Sequence, residues 1–288
     1  MLTRYVTASR GAILAIAAIA AFLGAAFLGA AFLGAVDPTV AQTPADKQFD
    51  AYERRMAQLK AAGRPDMAIR VGVAAMQQAK VRFGAAHWQF SRAANNVGIM
   101  LLSQQRRQAA AKLFKMVLEI DRKIFSTKHP KIAVTMNNLA LTYAGMGRQT
   151  EAASLLKRAA GIQREAYGED DPRFALTLKN LATLRQKQGQ LAMAKRLLTK
   201  ALSIYQTAFG KTDLRGAEIL DQLSMVAYRL GDYKLSQRYL QSALPILTER
   251  LGENHPRIQT LKSVARALRR RPASKGLPVS ARAGGVAL

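Results

Sequence analysis

Cysteine is missing altogether. That absence excludes a disulfide framework, thiolate metal sites and a cysteine nucleophile together. Negative charge is scarce as well: 18 Asp and Glu stand against 44 Lys and Arg, for a formal net charge of +26. Among so few carboxylates, no pair sits where general acid–base chemistry would need one. Motifs for phosphate cradling, zinc binding or a nucleophile elbow are absent too. These shortages point away from an enzyme and imply no cofactor and no metal. The positive field favours anionic partners: acidic proteins, phospholipid head groups, polyanionic glycans or nucleic acid. A solvated basic surface is the plainer reading of the same charge, and no specific nucleic-acid partner is expected.

The first forty residues read as an export segment rather than as part of the fold. Arg4 and Arg10 precede an uncharged apolar run from Gly11 to Val36, in which AAFLG occurs three times in succession, Ala20 to Gly34. A charged stretch followed by an apolar one is the pattern of a signal peptide, and Thr39-Val40-Ala41 offers the small residues of a cleavage site. Residues 1–41 are therefore read as a signal peptide, with Gln42 as the new N-terminus. The run at 11–36 is also long enough to cross a bilayer as a helix, so an uncleaved inner-membrane anchor is the other reading. Under either one, everything after Val36 is expected to be exported, periplasmic or secreted.

Beyond that segment the chain repeats itself every 42 residues. MNNLALTYAGMG (Met136–Gly147) is echoed by LKNLATLRQKQG (Leu178–Gly189) and LDQLSMVAYRLG (Leu220–Gly231). Glycine marks one phase at 63, 147, 189 and 231, with Gln105 in the remaining slot, and another at 84, 168, 210 and 252, with Ser126 between. Small residues mark a third at Ala68, Ala110, Ala152, Ala194 and Ser236. His129-Pro130, Asp171-Pro172, Asp213-Leu214 and His255-Pro256 mark a fourth, and His87-Trp88 holds its earlier slot. After each of these marks the apolar residues fall at helical spacing, as in Ile132, Met136, Leu139, Ala140 and Tyr143. Proline suits the first position of a helix, Asp171 and Asp213 suit the cap before it, and glycine suits the left-handed stop after it. A second stripe follows, Ala152, Leu155, Leu156, Ala159 and Ile162, closing at Gly168. One copy is thus a helix, a tight turn, a longer helix and a short loop. No copy can bury both faces alone, so neighbours must stack. His87, His129 and His255 share one phase, which makes them turn residues in separate loops rather than converging ligands; Trp88 is read as loop packing.

Leu139-Ala140, Tyr143, Gly147, Ala152, Leu156 and Ala159 resemble the spacing of the tetratricopeptide repeat. The longer period and the NNLALTY…G…EAASLLKRA…YGEDDP pattern are similar to the long repeats of kinesin light chain. The match is looser at the front of the first copy, where Arg54 and Arg55 occupy an apolar position and suggest a solvated cap, and at the Tyr slot, which holds Leu101, Arg185 and Ala227 elsewhere. The resemblance implies an all-α fold, a right-handed α-solenoid over residues 45–270. Its copies would lie at 45–86, 87–128, 129–170, 171–212 and 213–254, with a capping helix at 256–270. Residues 271–288, basic and free of acids, read as a disordered tail.

The resemblance also implies function: a non-catalytic scaffold whose first helices line a concave groove for a peptide segment of another protein. The family's groove positions fall here on Asn95, Asn96, Asn137, Asn138, Lys179, Asn180, Asp221 and Gln222. An amide offers donors and an acceptor, so such a ladder could grip a peptide backbone; equally, Asn138 and Asn180 could brace the neighbouring copy. Arg92, Lys187 and Arg229 add positive charge suited to an acidic peptide, while Glu218 and Asp221 interrupt it in the fifth copy. A second reading is an envelope protein that binds a polyanion or a membrane surface through charge. Contact of that kind with anionic lipid or glycan would use the C-terminal cluster Arg269, Arg270, Arg271, Lys275 and Arg282.

Overall fold

The computed structural model describes residues 44–269; the export segment and the basic tail lie outside them. Among the described residues there are eleven helices and no strand. They are α1 (Pro44–Ala61), α2 (Pro65–Phe83), α3 (Trp88–Ser103), α4 (Arg107–Ile124), α5 (Pro130–Gly145), α6 (Gln149–Tyr167), α7 (Pro172–Lys187), α8 (Leu191–Phe209), α9 (Leu214–Arg229), α10 (Tyr233–Leu251) and α11 (Pro256–Arg269). The chain is all-α, and its helices pair in the 42-residue register.

The starts of α3, α5, α7, α9 and α11 each follow from one side chain. Asp171 and Asp213 accept the backbone N–H two residues on, at 2.7 and 2.9 Å, which satisfies a donor the helix itself cannot. His87, His129 and His255 do the same through Nδ1, each at 3.2 Å. Histidine and aspartate are interchangeable here because both present an acceptor at that reach. The stops are as regular. Gly147 closes α5 with φ 81°, and Gln105, in the same slot after α3, is held at φ 60° without being glycine. At the far end Gly168 has φ 86° and ψ 172°, a region open essentially to glycine alone. Where Ser126 replaces that glycine, α4 ends at Ile124 and has 18 residues, against 19 in each of the other second helices.

The described residues divide into two compact units, one ending at Gly210 and the other starting at Lys211. In the first, α1 to α8 pack each on the next, and the first helices α1, α3, α5 and α7 also touch in series. One hydrophobic cluster runs through it from Met56 to Leu184, and its Ala110, Ala140, Ala152 and Ala159 are fully buried. Alanine there lets helix backbones approach while larger neighbours interdigitate. The broken Tyr slot does not break the core: Leu101 is buried as Tyr143 is, while Arg185 reaches Gln188 and Gln190 at 2.7 and 3.0 Å. In α1, Arg54 and Arg55 are exposed, and the helix buries Phe49, Met56 and Leu59 instead.

In the second unit α9 packs on α10, and α10 on α11, around Leu223, Leu240, Leu247, Ile258 and Leu261. The Ala140–Ala152 pair of the third copy is here Ser224 and Ser236, whose hydroxyls hydrogen-bond to each other at 3.0 Å. Paired in this way, two polar groups tolerate burial that either alone would resist.

Candidate functional site: the face of the first helices

In α5 the residues Val134, Asn138, Leu141 and Gly145 share one stripe, at helical spacing, with Asn137 at its edge. The matching stripe of α7 is Leu176, Lys179, Asn180, Thr183 and Lys187, and that of α3 is Arg92, Asn95, Asn96, Ile99 and Ser103. Every amide candidate in the first unit lies on this face.

The amides are joined from copy to copy. Asn96 Nδ2 donates to Glu53 Oε1 at 2.7 Å, Asn138 Nδ2 to Asn95 Oδ1 at 3.0 Å, and Asn180 Nδ2 to Asn137 Oδ1 at 3.3 Å. Asn137 also donates to Thr177 Oγ1 at 2.7 Å and to the carbonyl of Ala133 at 3.2 Å. These are bracing contacts between neighbouring copies. Asn137 and Asn138 are 3 % and 4 % exposed, so their place is the joint rather than an open surface; Asn138 donates back to α3, and Asn137 to α7 and to its own helix. Asn95, Asn96, Lys179 and Asn180 are half-buried, and Lys187 is exposed. Val134, Leu141 and Leu176 stand half-buried between them.

A second set of joints lies behind the amides. Asp121, at the end of α4, accepts from Thr135 Oγ1 of α5 at 3.0 Å and from the Ser91 hydroxyl of α3. One copy later Gln163 takes the same place and accepts from Thr177. Burial pushes the Asp121 carboxyl above the usual carboxylate range, against the pull of the Ser91 and Thr135 bonds.

Charge is distributed unevenly. Arg92 is bound to both Asp50 and Glu53 of α1, so the cation expected to face a partner is already paired. A shallow cleft beside it is lined by Phe49, Tyr52, Met56 and Ala93. In the second unit Asp221 is buried under α11, where Arg257 Nη2 donates to it at 2.8 Å; burial raises its carboxyl despite that cation. Gln222 is half-buried, Glu218 is buried and Arg229 is exposed. The carboxylate expected to interrupt the field at 221 therefore anchors the capping helix. Sequence spacing places such residues on a face; it does not say which neighbour reaches them.

Among the described residues no group of His, Asp and Glu could hold a metal ion, and no helix is long and apolar enough to cross a membrane. Trp88 sits at the start of α3 with the Lys131 ammonium 4.7 Å from its ring centre, a cation–π contact.

Paired helices stacked at a fixed interval, with a ribbon of first helices along one face, define a scaffold of the helical-repeat class. The tetratricopeptide repeat model matches residues 89–165, 150–207 and 173–249; the chain belongs to the tetratricopeptide repeat family, and its fold is the α-solenoid of that family. No curated protein matches the chain. Among solved structures it is similar to a Podosopora anserina protein of kinesin light chain type with nearly identical TPR-like repeats, at 17% identity and a TM-score of 0.59, over 74% of this chain and 100% of that one. A variant of that protein aligns with a TM-score of 0.60 at 17% identity, over 73% and 99% of the two chains. BtubC from P. vanneervenii aligns at 19% identity with a TM-score of 0.55, over 79% and 84%. Such likeness establishes the fold. Tetratricopeptide repeat proteins are generally non-catalytic scaffolds that bind other proteins, and no enzymatic family is indicated.

Proposed function

We propose that the chain is an exported interaction scaffold that binds an extended peptide segment of a partner protein along the first-helix face of α3, α5 and α7. One observation carries this reading: along that face Val134, Leu141, Leu176 and Thr183 are left half-open, in series, over a floor of amides that are already satisfied. A partner there gains apolar contact without having to break the joints. Asn95, Asn96 and Asn180 retain open surface for backbone contacts. Export rests on the N-terminal charged-then-apolar pattern, and determining the N-terminal sequence of the mature protein tests it.

A photo-crosslinking residue placed at Thr183 tests the face, with Lys157 on α6 as the comparison position. Illumination of intact cells should join a partner protein at 183 and not at 157. Equal yields at both positions would overturn the reading.

The alternative, binding to a polyanion or an anionic membrane through charge alone, is favoured by the second helices. Lys112, Lys157, Arg158 and Arg196 are exposed there, and none of them takes part in an ion pair among the described residues. The two readings differ in salt response. Binding driven by counterion release weakens steeply with added salt, whereas apolar and amide contacts persist.

A further inference from the structure

The stripe of α5 ends at Gly145, in the repeat phase that holds Ser103 in α3 and Lys187 in α7. Gly145 is not an empty place. A Cβ built there would lie 2.6 Å from Nε and 3.0 Å from Cδ of Arg107. Arg107 is the first residue of α4, and it belongs to the preceding copy. Its side chain therefore crosses the joint and lies where a groove-facing side chain of the third copy would project. Glycine is what admits it.

The surroundings of that guanidinium are telling. It is half-buried, donates to the neutral side chain of Gln105, and meets no carboxylate within ion-pair distance among the described residues. The bodies of α3, α5 and α7 contain no Asp or Glu at all. The carboxylates at the near end of the face, Asp50 and Glu53, are both taken by Arg92. Arg107 beside Gly145 and Lys187 on α7, neither of them in an ion pair among the described residues, thus border the half-open aliphatic stripe.

We propose that Arg107, lent by the second copy to the third, is an anion-binding residue of this face and acts with Lys187 to hold carboxylates of an acidic, extended peptide segment. The assignment rests on the groove reading above and adds a residue from outside the first helices. A guanidinium suits it, because its planar fork of donors matches a carboxylate in two bonds where an ammonium makes one. Gly145 is then a specificity device: it fixes where the fork stands.

The test uses the full chain and fluorescein-labelled decaglutamate, followed by fluorescence anisotropy at low salt. Arg107→Gln and Lys187→Gln should each weaken binding about tenfold, the loss of one charge-assisted contact. Lys112→Gln, on the outer face of α4, should leave it within about twofold, and the far-ultraviolet circular dichroism of all three should be unchanged. Gly145→Ala should weaken binding too, since it displaces Arg107 without removing its charge. If Lys187→Gln weakens binding and Arg107→Gln does not, the assignment of Arg107 is overturned while the groove reading stands. If all three Gln variants lose affinity alike, the charge acts as a diffuse surface and both fall. Absence of decaglutamate binding overturns the acidic-peptide class.

Discussion

Gly98 and Phe114 share between them a volume that the other copies divide differently. At 98, 140 and 182 the chain has Gly, Ala and Ala; at 114, 156 and 198 it has Phe, Leu and Leu. The extra bulk of the ring sits over the glycine, and a Cβ at 98 would come within 2.6 Å of Phe114 Cε1. Gly98→Ala should therefore overpack the second copy and cost about 1–3 kcal/mol. Combining it with Phe114→Leu, which restores the pair used by the next copy, should recover most of that loss. Urea denaturation of the four chains measures the coupling; additive losses would show that the two residues do not share space. Gln105 supports a second residue-scale prediction. A non-glycine residue in the left-handed region carries strain of about 1–2 kcal/mol, part of which glycine would return as unfolded-state entropy. Gln105→Gly should thus stabilise the protein by roughly 0.5–1 kcal/mol, read as a higher thermal midpoint; a lower midpoint would mean that the Gln105 contact to Arg107 outweighs the strain.

At the scale of the helix, the starts of α3, α5, α7, α9 and α11 are set by a single acceptor that two residue types can provide, and the difference between them is pH. Burial lowers the affinity of His129 for a proton below its ordinary 6.5, the Lys131 ammonium adds to this, and Asp121 opposes it. A proton then binds the unfolded chain more readily than the folded one, so stability is full above the unfolded value and falls as pH drops through it. The structural reason is plain: Nδ1 cannot accept the Lys131 N–H once it carries a proton. His129→Asp installs the cap used at 171 and 213 and removes this loss. Between about pH 8 and pH 5, across the histidine range, the urea midpoint of the variant should decline less than that of the parent. Equal declines would place the sensitivity elsewhere. These starts, and the glycine stops, were legible in the sequence because each depends on one residue at one phase, whereas α2, α4, α6 and α8 start with no side-chain cap. The shortened α4 is legible in retrospect, from Ser126 standing where glycine is required.

For the whole molecule, periodicity carried the fold and stopped short of the site. A residue's phase says which face it occupies, so the first-helix stripe could be read from one copy and transferred to the next. Phase does not say whether Asn138 offers its amide outward or gives it to Asn95, because that depends on a neighbour 43 residues away. Arg107 escaped the sequence reading for the same reason: it starts a second helix, and only the missing side chain at Gly145 hinted that something else fills the space. Net charge is the remaining whole-chain property, and it acts on stability as well as on partners. With +26 charges and cations such as Lys112, Lys157, Arg158 and Arg196 exposed without ion pairs among the described residues, compaction works against the chain's own repulsion. Screening relieves that cost: the Debye length falls from about 30 Å at 0.01 M salt to about 10 Å at 0.1 M. The thermal midpoint should rise over that interval, and Lys157→Glu, which reverses one exposed charge on a strongly basic chain, should raise it at low salt and lose the advantage at high salt. A midpoint indifferent to salt would mean that the exposed cations lie too far apart to repel, and the positive face would then be weaker as an attractor of anionic partners by the same measure.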